Sequence, residues 1–151
     1  YTTMVAGLGS VIEGKPKIYV LPKPINARLG FAQTISTMKA QQDALRAYGM
    51  AMFYVEAQSY QKAAIEVGEM HMLPITPITS VADKRAKLMA IAPFIQNGTV
   101  LFPEAGCEEL VDQILEFGVA EHDDLLDGLV NLIYGILQNG GVQLPEVVIL
   151  G

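Results

Sequence analysis

The stretch MAMFYVE, residues 50–56, is a continuous apolar run that ends in a single acid. Short apolar runs of this kind are typical of a strand that is buried on both faces of a sheet. We therefore predict a central strand from Met50 to Val55 that ends at Glu56. In α/β sheets functional groups collect beyond the carboxyl ends of central strands, so Glu56 is a candidate functional residue. The alternative is an acid turned to solvent in the loop after the strand.

The residues before this strand predict a hairpin followed by a helix. Two β-branched and apolar runs, Thr2–Leu8 and Lys17–Leu21, are separated by glycine and proline and indicate an antiparallel hairpin. Residues 22–30 are rich in turn formers and predict a loop or a strand edge. From Phe31 to Tyr48 apolar residues recur at helical spacing, and Gly49 marks the end of the helix.

The residues after the central strand alternate between helices and strands. The predicted elements are a helix from Ser59 to about Glu69, an extended edge segment at His71–Ile78, a helix at Val81–Gln96 with a kink or early break near Pro93, a short strand at Thr99–Phe102, an amphipathic helix at Cys107–Phe117, a helix at Asp124–Leu137 and a last strand within residues 138–151. This order of elements predicts an α/β fold, a mixed sheet with an opening antiparallel hairpin and helices on both faces.

Two further structural expectations follow from the same patterns. In the helix at Cys107–Phe117 the side chains expected to face inward are Leu110, Val111, Ile114 and Leu115. No internal repeat and no linker divides residues 1–151, so we predict a single domain.

Charge is distributed unevenly along the chain. The net charge is −6, but residues 1–87 hold all ten Lys and Arg and carry +4, whereas residues 88–151 hold ten acids and carry −10. A mildly basic part beside an acidic part can bind a polyanion at one edge and cations at another. The alternative is that the C-terminal helices have solvated acidic faces.

Composition excludes several classes of protein. Hydrophobic residues make up 51% of the chain and charged residues 17%, which excludes general disorder. Gly, Pro, Asn or Gln interrupts the long uncharged runs before about 20 apolar residues accumulate, so no membrane span is expected. A lone cysteine, Cys107, forms no internal disulfide and no leader sequence opens the chain, so an intracellular reducing compartment is expected.

The segment EHDDLLDG, residues 121–128, directly precedes an apolar helix. Asp123 or Asp124 is a candidate N-cap, and acids are common in the first turn of a helix. The functional alternative is that Asp123 or Asp124, together with Glu56, coordinates hard divalent cations through oxygen. Clustered carboxylates that hold Mg²⁺ or Mn²⁺ suit phosphodiester hydrolysis by two metal ions, which neutralise the developing charge and deprotonate the attacking water.

Other residues bear on function as well. Lys84, Arg85 and Lys87 form the densest basic cluster, which could contact DNA phosphates or form a solvated helix face. Cys107 opens a helix, where a thiol pKa can fall, but no His base accompanies it and we expect it to be inert. The two histidines lack partners at ligand spacing, so no zinc site is expected, and no GxxxxGK[ST] phosphate loop occurs.

Several motifs occur in the order found in one nuclease family. They are YTTMVAGLG (residues 1–9) and KIYVL (17–21) as sheet strands, FYVEAQSYQKAAIE (53–66) as a strand that ends in an acid and leads to a helix, DKRAKLMAIAPFIQNGTVLFP (83–103), and EHDDLLDGL (121–129). In this order and spacing the chain, from Tyr1 to about Leu137, resembles the C-terminal nuclease domain of the large terminase subunit of tailed phages and prophages, which has an RNase H-like fold.

The resemblance implies metal-dependent cutting of concatemeric viral DNA during genome packaging, with two Mg²⁺ or Mn²⁺ ions as cofactors. Glu56 resembles the second-strand carboxylate of that family, and the pair Asp123 and Asp124 resembles its last acidic motif, with Asp127 as a further acid. The implied partners are double-stranded DNA, an upstream ATPase domain of the same subunit, the small terminase subunit and the portal. The implied location is the cytoplasm of the bacterial host, with no membrane association.

One feature of that family has no counterpart in the chain. Its first metal-binding Asp lies on a strand just ahead of the segment that begins here with Tyr1, and no Asp precedes Asp43. Either that strand lies upstream of these 151 residues, which we expect, or this relative has lost a ligand. In both cases the 151 residues alone are expected to bind metal weakly and to cut DNA poorly. Two alternatives stay open, another RNase H-like nuclease such as a resolvase or transposase relative, and a degenerate module that only binds DNA or protein partners.

Overall fold

A computed structural model of the protein describes residues 2–49, 51–56, 66, 68, 75–78, 83–117, 124–138 and 145–150. Its strands are β1 (Thr2–Ile12), β2 (Lys15–Val20), β3 (Ile25–Ala27), β4 (Met52–Glu56), β5 (Ile75–Ile78), β6 (Val100–Leu101) and β7 (Pro145–Leu150). Its helices are α1 (Phe31–Leu45), which continues into a 3₁₀ turn (Arg46–Tyr48), α2 (Lys84–Gln96), α3 (Glu108–Leu115) and α4 (Asp124–Gln138). The predicted α/β class is confirmed.

The described strands form one mixed sheet in the order β5-β4-β7-β1-β2-β6, and β3 pairs with the first residues of β1. β1 is antiparallel to β2, β3 and β7. β4 is parallel to both β5 and β7, and β2 is parallel to β6. Among the described strands, all but β1 therefore run in one direction. We call the end at which β4, β5 and β7 finish the carboxyl end of the sheet.

The predicted hairpin is confirmed and is longer than the sequence pattern indicated. β1 and β2 stay paired up to Ile12 and Lys15, so the turn contains only Glu13 and Gly14. Both turn residues have positive φ, 55° and 77°, which matches the right-handed twist of the flanking strands. The turn-rich stretch at residues 22–30 contains the short strand β3, as expected for a strand edge.

The core lies on both faces of the sheet, as predicted. Phe53 and Val55 of β4 pack under α1, whereas Tyr54 packs on the opposite face with α2, α3 and α4. These three side chains are buried, with 0%, 1% and 9% of their surface exposed. A strand covered on both faces needs apolar residues at every position, which accounts for the uninterrupted run in the sequence.

α4 packs closely on β1 because each element has a glycine at the contact. Gly128 of α4 faces β1, and Gly7 of β1 faces α4. A Cβ atom at Gly128 would lie 2.7 Å from Val5 Cγ2, and one at Gly7 would lie 2.9 Å from Leu132 Cδ2. Neither position has room for a side chain without a shift of its neighbour. Leu132 is itself completely buried, so α4 packs along the central strand of the sheet with its full apolar face.

The last strand of the sequence lies in the middle of the sheet. The strand predicted within residues 138–151 is confirmed as β7, and it pairs with β1 on one side and with β4 on the other. Both sides of the first half of β1 are therefore occupied, by β7 and by β3. The short strand at Val100–Leu101 and the edge strand at Ile75–Ile78 also match their predictions.

Two predictions about the helices are partly wrong. α2 does not end early at Pro93, because the lack of an N–H there removes one bond of the helix without ending it; α2 continues to Gln96, the carbonyl of Pro93 accepts a bond from the Asn97 N–H, and Gly98 (φ 80°) follows the helix. A kink at Pro93 stays a prediction. In α3 the side chain of Leu115 does not face inward and is 78% exposed, whereas Gln113 is buried. Gln113 makes a hydrogen bond that is described with the site below.

Some predictions lie outside the described residues. The helix predicted from Ser59 to about Glu69 is described only at positions 66 and 68, and both are helical. Within the described part of the chain, no helix combines the length and the apolar character that a membrane span requires.

Candidate active site at the carboxyl end of the sheet

β4 delivers Glu56 to the carboxyl end of the sheet. The register pairs Val55 with Ile149 of β7 and Glu56 with Ile78 of β5. Position 56 therefore lies where three parallel strands finish, at the end of a strand that is fixed by its buried core residues. It is two residues beyond Tyr54 and so occupies a position on the α4 face of the sheet.

α4 brings an acidic turn to the same end of the molecule. Gly128 lies against Val5, and further along the helix Ile136 lies against Gly9, so α4 runs in the direction of β1. β1 begins at the carboxyl end, because it is antiparallel to β7. The first turn of α4 therefore lies toward that end, and its first residue, Asp124, is half-buried.

The structure thus places two of the predicted site positions toward the same end of the sheet and leaves the third undescribed. Glu56 is placed by its strand and Asp124 by its helix, while Asp123 lies outside the described residues. In the described part of the chain no group of three or more His, Cys, Asp or Glu side chains is brought together. The donors are the hard oxygens that Mg²⁺ or Mn²⁺ requires, and their role as metal ligands stays a prediction.

Gln113 of α3 is a residue at this site that the sequence analysis missed. Its side chain is buried, with 6% of its surface exposed, and its Oε1 accepts a hydrogen bond of 3.1 Å from the backbone N–H of Leu126 in the first turn of α4. The first N–H groups of a helix have no partner within the helix, so this bond supplies one from outside. Position 113 is three residues after Leu110 and shares its inward face, which is the signal that could have identified it.

α3 is attached in turn to the segment that links β2 and β3. The N–H of Lys23 donates to the carbonyl of Gly106 at 2.8 Å. The amide Nδ2 of Asn26 donates to Glu109 Oε1 at 3.1 Å, and the buried Oδ1 of Asn26 has no hydrogen-bond partner among the described residues. Hydrogen bonds therefore connect β3 to α3 and α3 to the start of α4.

Cys107 has a raised pKa, so its place just before a helix does not lower it. The thiol is buried just before α3, and desolvation and then the charge of Glu108 raise its pKa. Its Sγ donates to the carbonyl of Leu21 at 3.4 Å. Glu108 is fully exposed, and its carboxylate accepts a bond from the N–H of Gly106, which lowers its pKa. A buried thiol that resists ionisation is not a nucleophile.

The basic cluster lies at the start of α2. Asp83 is the N-cap, and its side chain accepts bonds of 3.0 Å and 3.2 Å from the N–H groups of Arg85 and Ala86. Arg85 is exposed, whereas for Lys84 and Lys87 only the backbone is described. α2 packs on the same face of the sheet as α4, through the buried Ile91. Contact of this cluster with DNA stays a prediction.

An open groove of about 440 Å³ lies on the opposite side of the sheet, along α1. Its lining residues are uncharged and are Leu29, Ala32, Gln33, Ser36 and Thr37. The residues that line the groove include no group that could act as an acid, a base or a strong metal ligand.

Comparison with family models, with curated proteins and with solved structures finds no match to this chain.

Proposed function

We propose that this chain is a metal-dependent DNA endonuclease domain, the RNase H-like nuclease domain of a viral DNA-packaging terminase. The observation that carries the proposal is the shared end of the sheet, which β4 reaches at Glu56 and which the first turn of α4 reaches at Asp124. The order of motifs along the sequence supports the terminase family within the wider class of RNase H-like nucleases.

The proposed metal ligands are Glu56, Asp123 and Asp124. When bound, two Mg²⁺ or Mn²⁺ ions supply the activated water and stabilise the charge that develops on the phosphate. The contribution of the protein is rigid placement. Glu56 is the last residue of a strand that is buried on both faces, and Asp124 is the first residue of a helix packed tightly against β1.

The remaining parts of the proposal concern partners. Lys84, Arg85 and Lys87 are proposed to contact phosphates of double-stranded DNA, since Lys and Arg supply most sequence-independent contacts to the backbone. An ATPase domain of the same subunit, the small terminase subunit and the portal are the proposed protein partners. Together they would work in the cytoplasm of a bacterial host.

A plasmid-cleavage assay tests the proposal. Supercoiled DNA is incubated with Mn²⁺ or Mg²⁺ and the unaltered chain, both as these 151 residues and as any longer gene product that contains them. We expect cleavage that requires the metal and falls roughly 100-fold or more in Glu56→Gln and in the double variant Asp123→Asn with Asp124→Asn, because each removes a metal-binding charge. The matched controls are Glu66→Gln and Asp112→Asn, which remove exposed acids elsewhere and should leave the rate unchanged.

The same assay separates the competing functions. Preference for a four-way junction or an RNA–DNA hybrid over linear duplex would favour another RNase H-like nuclease. A degenerate binding module is the second candidate, because no three metal-ligating side chains meet among residues whose placement is described. DNA binding without cleavage, and without any rise in Tm on adding Mn²⁺, would favour that module. Cleavage that survives both site variants would contradict the proposed ligands.

A further inference from the structure

α3 turns its apolar face inward with one exception. Leu110 is buried and Val111 and Ile114 pack against the core, but Gln113 is buried beside them and Leu115 is 78% exposed. Burial of a polar side chain costs free energy unless the group is hydrogen-bonded, and exposure of a leucine forgoes the gain of burying it. The hydrogen bond that Gln113 makes offsets part of this cost. Conflicts of this kind between local pattern and fold concentrate at functional positions.

The group that Gln113 reaches is the backbone of the acidic first turn of α4. Gln113 Oε1 accepts from the N–H of Leu126 at 3.1 Å, and both side chains are buried. Helix N–H groups of this turn are usually satisfied by the residue just before the helix. Here the acceptor comes from another helix, thirteen positions earlier in the chain. The place of the first turn of α4 is therefore set by α3 as well as by local sequence.

α3 can serve as a fixed reference because it is attached to the sheet. Two hydrogen bonds tie it to the segment around β3, one from Lys23 to Gly106 and one from Asn26 to Glu109. β3 pairs with the first residues of β1, which lie at the carboxyl end. These two hydrogen bonds and the bond from Leu126 to Gln113 thus link the carboxyl end of the sheet, through α3, to the turn that contains Asp124.

We propose that Gln113 is a positioning residue, which holds the acidic first turn of α4 at the carboxyl end of the sheet and so sets the geometry of the proposed divalent-cation site. The inference rests on the proposed function. Gln113 touches neither metal nor substrate in this role, and it acts through the backbone of Leu126 on the neighbouring Asp124. A bond that only stabilised the fold would give the same contact without any effect on cation binding, so the test must separate the two.

The chain offers a matched control for that separation. Gln42 Oε1 accepts from the N–H of Ala51 at 2.8 Å, a bond of the same chemical type that joins α1 to the residue before β4. It lies on the other face of the sheet from α4 and at the amino end of β4. Gln113→Met and Gln42→Met each remove one such acceptor while keeping a side chain of similar length.

Three measurements are made on both variants and on the unaltered chain. They are the Mn²⁺ concentration that gives half-maximal plasmid cleavage, the rise in Tm with Mn²⁺, and the hydrogen-exchange rate of the Leu126 amide. For Gln113→Met we expect about 10-fold more Mn²⁺ at half-maximal cleavage, a smaller rise in Tm and faster exchange at Leu126. For Gln42→Met we expect the Mn²⁺ dependence and the Leu126 exchange rate of the unaltered chain.

A third variant, Gln113→Glu, keeps an acceptor for the Leu126 N–H and should retain slow exchange there, which covers the case that Gln113→Met does not fold. A Mn²⁺ response that Gln113→Met and Gln42→Met change equally would overturn the positioning role alone. Unchanged exchange at Leu126 in Gln113→Met would also overturn it. Absence of any Mn²⁺ response both in the unaltered 151 residues and in any longer gene product that contains them would remove the proposed function, and the positioning role with it.

Discussion

α1 and α4 each contain fifteen residues and cover opposite faces of the same sheet, but they are secured in different ways. α1 buries three apolar side chains, Ile35, Met38 and Leu45. α4 buries at least seven, which are Leu125, Leu126, Leu129, Val130, Leu132, Ile133 and Ile136. Because burial of apolar surface is the main stabilising term, α4 contributes more to the free energy of unfolding than α1 does.

The two helices also begin differently. At the start of α1, Gln33 Oε1 accepts from the N–H of Gly30 at 3.0 Å, so the helix is capped by its own residues. In α4 the N–H of Leu126 is bonded by Gln113 of α3. The described bond at the start of α1 is therefore local, whereas the start of α4 depends on tertiary structure as well as on local sequence. Changes in the core around α4 should reach the acidic turn, whereas changes around α1 should not.

The largest difference is expected from core truncation. Leu132→Ala should lower the free energy of unfolding by about 4 kcal/mol, because this fully buried side chain packs against β1 where the backbone approaches closely and the cavity cannot collapse. Ile35→Ala on the α1 face should cost about 2 kcal/mol, since Ile35 retains 6% exposure at the margin of its cluster. Urea unfolding measures both values. Equal losses of unfolding free energy in the two variants would contradict the larger contribution of α4.

A smaller effect is expected where α4 touches β1 most closely. Gly128→Ala should destabilise the protein by about 1 kcal/mol, because a methyl group 2.7 Å from Val5 Cγ2 overpacks the contact and outweighs the gain in helix propensity. Gly30→Ala before α1 is the control. A Cβ there would meet only Gln33 Oε1 at 3.8 Å, so its effect should stay within about 0.5 kcal/mol.

A double-mutant cycle checks that the contact with Val5 is the cause. In a Val5→Ala background the added methyl at position 128 has room, so Gly128→Ala should become neutral or stabilising by up to about 1 kcal/mol. Additive losses in the double variant would show that Gly128 is needed for some other reason and would weaken the comparison of the two faces.

The smallest effect on stability is expected from a change of pH. It acts through Cys107, the residue just before α3. The pKa of Cys107 is raised in the folded protein by burial and by Glu108, so the unfolded chain loses this proton first as pH rises. The stabilising contribution of the protonated thiol is complete below the usual thiol pKa and is lost as pH rises through the folded value. The urea midpoint should therefore fall from about pH 7 to about pH 10 by more in the unaltered chain than in Cys107→Ala. An equal fall in both would contradict the assignment.

The elements that were predicted correctly are those whose patterns are local. The run Met50–Val55 predicted β4 because a strand covered on both faces must be apolar throughout, and the pattern of α4 needs only its own sequence to be recognised. The position of β7 could not be predicted, because four apolar residues identify a strand but not the strands beside it. Pairing with β1 and β4 depends on residues nearly the full length of the chain away.

The same difference between local patterns and long-range contacts applies to the candidate site. The positions of Glu56 and Asp124 in the fold could be predicted because their strand and their helix were predicted, and their role as metal ligands stays a prediction. Gln113 was missed because hydropathy ranks a glutamine below a leucine at position 115, whereas the fold supplies a buried N–H at Leu126 that only the glutamine can satisfy.

The central position of β7 has a consequence for how the chain is made. Residues 145–150 leave the ribosome after every other described strand, yet they join β4 and β5 to β1, β2, β3 and β6. Until they arrive, β1 and β4 each present an open strand edge that is rich in Val, Phe and Met. Such edges pair readily with other chains. A nascent or truncated chain that stops before residue 145 is thus two half-sheets without the strand between them, and it should depend on a chaperone that the finished chain can do without.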